Sequence, residues 1–260
     1  MIIPIEKISK KLFLALRRGI DIIRLFPGRL LQLLQHFYEG ITFQTSRSTY
    51  WKEEAKNSSR GSVVFLWISE FLLRLIACLG VGEIYETVMD IGKSQSRSLT
   101  PRESDLAREI FGDSIDYEVV RIDETAWMGP KQFRFCYVSF NLINSWNPMS
   151  DHILIHELVH VWQYQKMGII YMVRAWVAQH SKSGYNYGGI HSIKKKIATG
   201  KTLFDYNLEQ QADIVTDYFL LKNNYSPQWG TANRNDLATY AFFISVIKNN
   251  DGPDNPPIRV

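Results

Sequence analysis

The stretch HELVHVWQYQ, residues 156–165, constrains this chain more than any other. On a helix, His156 and His160 lie one turn apart on one face, so both imidazoles can reach one ion. Glu157 projects beside that point. This is the H-E-x-x-H arrangement: two zinc ligands and a carboxylate placed to take a proton from metal-activated water. The plainer reading is an amphipathic helix with hydrogen-bonded core histidines.

A hydrolytic zinc site takes three protein ligands and leaves one position open. The cysteines, Cys78 and Cys136, are too few for a disulfide scaffold and are not spaced as ligands, so histidine and carboxylate must do the work. Downstream candidates are His180, His191, Glu209 and Asp213. NLEQQADIVTDYF is the strongest stretch, because Glu209 and Asp213 are spaced i, i+4 beside an apolar stripe of Leu208, Ala212, Val215 and Phe219. A carboxylate against buried surface is costly unless a cation neutralises it. Asp213, one turn on, can accept a hydrogen bond from a ligand imidazole and fix its tautomer. A solvated acidic face is the alternative.

Around these motifs the chain reads as mostly helical. Residues 5–26 and 29–39 carry helical periodicity broken at Pro27-Gly28. Residues 63–82 approach membrane length, but Glu70 and Arg74 favour a buried or interfacial helix over a span. The polar stretch 44–62 reads as a loop or solvated helix. Thr100, Pro101 and Glu103 form a capping box that opens a helix stopping at Gly112. Residues 117–123 and 133–143 read as strands. Helices follow from Ser150 to about Lys166, over 169–180 and 190–199, from Asn207 to about 222, and over 235–249. The tail 251–260 reads as disordered. The expected architecture is α+β and mostly helical, with a helical N-terminal region (1–95), a domain with a small sheet (96–250) and that tail.

Seven basic side chains within residues 1–40 stand against Glu6, Asp21 and Glu39, a net +4 that equals the formal charge of the whole chain. The remainder is neutral, so no nucleic-acid partner is expected. The short apolar stretch LFLAL lacks a cleavage site, so no secretory signal is expected. Amphipathic helices in this basic region can pack on the rest of the chain or lie on an anionic membrane. Short pieces split at Pro27 favour packing.

The pairing of H-E-L-V-H with a later E-x-x-A-D resembles the gluzincin branch of zinc metallopeptidases. LTPRESDLAREIFG, VSFNLINSW, LIHELVHVWQYQ, YNYGG and FDYNLEQQADIVTDYF are also similar to a bacterial group associated with Vgr/Rhs elements of contractile secretion systems. The likeness covers roughly residues 99–222. It implies a zincin-like fold and a Zn2+ ion held by His156, His160 and Glu209. Glu157 would be the general base and Asp213 the residue orienting a ligand histidine. It further implies an edge strand at residues 136–141 that pairs with an extended peptide or protein substrate. No downstream histidine motif for oxyanion support is present, so a tyrosine is the candidate for that role, Tyr187 first, then Tyr185 and Tyr206, while the plainer reading of each is a packing side chain. His152 is expected not to ligate. The expected activity is amide hydrolysis by an effector, cytoplasmic or exported without a signal peptide, with a membrane surface or the secretion apparatus as partner of the N-terminal helices. The alternatives are an inactive zincin-fold binding module and a membrane-acting effector.

Overall fold

The structure is a computed structural model that describes residues 5–41, 60–93, 95–126, 131–132 and 135–248. The expected tail and most of the polar stretch 44–62 lie outside the described residues. The protein is α+β and mostly helical. Contacts divide it into two compact units, Met1–Ser96 and Arg97–Val260.

In the first unit, α1 (Ile5–Ile41) packs along α2 (Arg60–Cys78) and α3 (Val81–Gly92). The expected break at Pro27-Gly28 does not occur, and α1 runs through Pro27. Anchors on both sides explain it. Arg18 pairs with Glu86 and Asp90 on α3, and Arg29, two residues past the proline, pairs with Glu83. These clamps hold both halves to one partner helix despite the lost backbone hydrogen bond. The break falls instead between α2 and α3, at Gly80. Its φ of 68° and the side chain of Ile22, whose Cγ1 would lie 2.7 Å from an added Cβ, both require glycine. Of the buried or interfacial helix expected over 63–82, the buried alternative is corrected, since only 17% of Gly61–Cys78 is buried.

In the second unit, the Thr100–Glu103 capping box opens α4 (Pro101–Phe111). Three short strands follow, β1 (Arg121–Asp123), β2 (Tyr137–Ser139) and β3 (Leu142–Asn144), in the order β1-β3-β2. β1 pairs parallel with β3, and β2 antiparallel. Residues 117–123 are thus a strand only at their end, because Tyr117 sits in a turn closed by the Val120 N–H. The continuous strand expected over 133–143 is a hairpin. Ser139 faces Leu142 across Phe140 and Asn141, with Phe140 at a φ of 60°. A bulky side chain is strained there. The Phe140 ring is held edge-on against Tyr164, 5.3 Å between centroids.

Five helices complete this unit among the described residues: α5 (Asp151–Met167), α6 (Tyr171–His180), α7 (Gly189–Ala198), α8 (Leu208–Lys222) and α9 (Leu237–Lys248). Asn207 caps α8 through the Gln210 N–H. α5 and α8 pack along each other, with β2 and β3 beside α5. The core around them contains Phe111, Ile122, Ile143, Leu158, Trp162 and Val215. Both helices are buried nearly all round. That places their polar side chains inside the domain, where each must find a partner.

Candidate metal centre

α5 supplies His156, Glu157 and His160, and α8 supplies Glu209 and Asp213. His156 Nε2 and His160 Nε2 are 3.2 Å apart. Glu209 Oε2 lies 3.5 Å from the first and 3.2 Å from the second. A tetrahedral ion with donors at about 2.0–2.1 Å separates each pair of donors by roughly 3.3–3.4 Å. The triangle therefore has the dimensions of one face of such a coordination sphere.

The hydrogen bonds behind the ligands fix their tautomers. His156 Nδ1–H donates to Asp213 Oδ1 at 3.0 Å. His160 Nδ1–H donates to Gln163 Oε1 at 2.9 Å. With both protons on Nδ1, two Nε2 lone pairs and a carboxylate oxygen converge with no hydrogen between them. Glu209 Oε2 and Glu157 Oε2 are then buried acceptors without donors. Such a cluster is repulsive unless a cation or a proton sits in it, so this donor set fits a divalent ion. A proton on each Nε2 would meet the same need. Burial would push His156 down, but hydrogen bonds to Asp213 and Glu209 outweigh it and carry its pKa up to about 10. Burial would raise Glu209, yet the charge of His160 and hydrogen bonds from both imidazoles hold it well below the usual carboxylate range. Glu157 is pushed up by its burial.

Each ligand has its own support. Asp213 Oδ2 accepts a 2.5 Å hydrogen bond from the Trp229 indole. Gln163 Nε2 donates to the Leu208 carbonyl and to Gln211 Oε1, both at 3.0 Å. Gln163 escapes sequence reading, although its position three residues after His160 on an apolar helix is a usable signal. For a zinc ion held by this donor set, Gln163→Ala is expected to lower affinity about ten- to a hundredfold while leaving the three donors intact. Competition with a calibrated zinc chelator measures it, and unchanged affinity would show that His160 needs no orienting partner.

A cavity of about 220 Å3 opens on the cluster. Its walls include Tyr137 and Val138 of β2, Tyr171 and Trp176 of α6, and Tyr185. The edge position of β2 agrees with the edge strand expected near residues 136–141. The tyrosine expectation needs correction. The Tyr187 hydroxyl points away into the core, bonded to Asp217 at 2.5 Å and Tyr240 at 2.6 Å. Tyr206 is bonded to Ser192 at 2.7 Å and is likewise absent from the cavity wall. Tyr185 is there, 6.1 Å between ring centroids from His156. Tyr171, which sequence reasoning missed, is 5.8 Å from His160. Burial pushes the Tyr185 hydroxyl up to about 12 and Tyr171 well above its ordinary value, so both remain protonated donors. His152, His180 and His191 stand outside the cluster; His180 bonds the Trp176 carbonyl instead.

No protein-family model matches the sequence. Among solved structures, the effector domain of Pseudomonas aeruginosa VgrG2b is similar at 27% identity over 58% of this chain and 83% of that one, with a TM-score of 0.34. In sequence, the chain is 36% identical over 166 residues to the type VI secretion system spike protein VgrG2b of Pseudomonas aeruginosa, an alignment that takes in 59% of this chain and 15% of that protein's length.

Proposed function

We propose that the chain is a zinc-dependent metallopeptidase acting as an effector linked to a contractile secretion system. The observation that carries the hydrolytic reading is the 3.2–3.5 Å triangle of His156, His160 and Glu209 with the unpartnered Glu157 carboxylate beside it. A purely structural site has no use for that fourth group. The secretion link rests on similarity to a spike protein, only 15% of whose length is matched.

His156 Nε2, His160 Nε2 and Glu209 Oε2 would hold the ion. Zinc bound there supplies Lewis acidity that makes water a nucleophile near neutral pH and polarises a carbonyl. Glu157 takes the water proton on Oε2 and passes it to the leaving amine. The Tyr185 and Tyr171 hydroxyls are donors on the cavity wall for the oxygen on which charge develops. β2 lies where an extended peptide can align by strand addition, a mode tolerant of sequence, so protein or peptide is the substrate class.

Elemental analysis of the purified chain should find one zinc per molecule. Chelation should abolish hydrolysis of an unfolded protein substrate, and added zinc should restore it. A chain without zinc, or one that hydrolyses equally after chelation, overturns the reading.

A further inference from the structure

The Met1–Ser96 unit has its polarity reversed. On α3, Glu83, Glu86 and Asp90 are buried, while Val81, Ile84, Val88 and Ile91 face outward. α1 answers the acids with bases: Arg18 reaches Glu86 Oε2 at 3.0 Å and Asp90 Oδ2 at 2.7 Å, Arg29 pairs with Glu83, and Lys11 donates to the Asp90 carbonyl. His36 and Glu70 are buried as well, as are Leu14, Leu33 and Leu66. The outer face of α1 exposes Leu16, Ile20, Ile23 and Leu31 at 63–78%. α2 exposes Val64, Phe65 and Leu72. Contacts run from His36–Trp67 through Arg29–Ala77 to Arg18–Glu86, so α1 lies antiparallel to α2 and α3 as a hairpin.

Soluble monomers rarely expose contiguous apolar patches beyond a few hundred Å2. Lipid reverses the preference: apolar side chains face the acyl chains, and charged ones survive paired in the interior. Length agrees too. The window Gly61–Cys78 has a mean hydropathy of 1.8. At about 1.5 Å per residue, α2 spans roughly 28 Å, close to a hydrocarbon core of about 30 Å. Charge selects the kind of lipid. Among the described side chains of this unit, the exposed charged ones are Lys10 and Arg24, both basic, and every carboxylate is buried or half-buried. Such a surface suits anionic headgroups. A second copy fits less well, since pairing would cover one side of the hairpin only and bring like charges together.

We propose that the Met1–Ser96 unit inserts into anionic bilayers as a helical hairpin, its outer apolar face against the acyl chains and the Arg18–Glu86–Asp90 cluster sealed between the helices. The test floats the full-length chain with phosphatidylglycerol/phosphatidylcholine vesicles, then washes with molar salt and with alkaline carbonate. Wild type should stay with the vesicles through both washes. Ile68→Lys and Leu72→Lys alter outward-facing positions near the middle of α2 and leave the interior ion pairs alone. Each should lower vesicle partition about a hundredfold, the effect expected of a charge at the bilayer centre, with circular dichroism and zinc content unchanged. A surface-bound protein would respond the opposite way, since an added lysine strengthens adsorption to anionic lipid. Wild type that stays unbound, that salt releases, that forms a stable lipid-indifferent dimer, or that matches its Lys variants overturns the proposal. Zinc content is read on the same samples, so failure here leaves the metal centre standing.

Discussion

Glu157→Gln is expected to keep one zinc per chain and an intact fold while cutting peptide turnover by about a thousandfold or more. The amide has the carboxylate's shape, so the cavity is unchanged. It cannot accept and return a proton. Because Glu157 lies beside the donor triangle and outside it, metal content should not move. Steady-state hydrolysis and elemental analysis on one preparation decide the matter. Turnover within a few fold of wild type would remove Glu157 from the chemistry, and zinc loss would make it a ligand.

Glu209→Gln is expected to weaken zinc binding by roughly a thousandfold or more, a larger effect than at Gln163, because it deletes the anionic donor. Glu209 Oε2 is the atom that closes the triangle, and the side chain is 1% exposed. Water cannot readily replace it. Chelator competition gives the affinity, and near-ultraviolet circular dichroism confirms that the fold persists. A variant that folds and binds zinc as wild type does would place the third donor elsewhere.

The pairing of His156 with His160, and of Glu209 with Asp213, was legible in the sequence because each rests on local spacing within one helix. What depends on long-range packing was not legible. Tyr187 looked like a loop residue free to face substrate. Its loop turns at Gly188 and Gly189, with φ values of 83° and 64°, and the ring enters the core where Asp217 and Tyr240 wait. The β2–β3 hairpin carries no glycine or Asn-Gly signal, since an aromatic contact with Tyr164 stabilises Phe140 in a conformation its own side chain disfavours. In α1 the periodicity was clear, yet the break expected at Pro27-Gly28 does not occur. Periodicity shows that a helix has an apolar face; it does not show that the face points at protein. The direction came from the acids on α3, which draw Arg18 and Arg29 inward.

Glu209, Asp213 and Asp217 recur every four residues along α8, and each holds something different. Glu209 completes the donor triangle, Asp213 aligns His156, and Asp217 accepts the backbone N–H groups of Gln228 and Trp229. The helix therefore works as a phase gauge. A single residue inserted or deleted between Glu209 and Asp213 would turn the two aspartates about 100° out of line with Glu209 and lose the aligning carboxylate and the loop anchor together. Substitutions can weaken this centre by degrees, whereas a slip in phase takes away both supports at once.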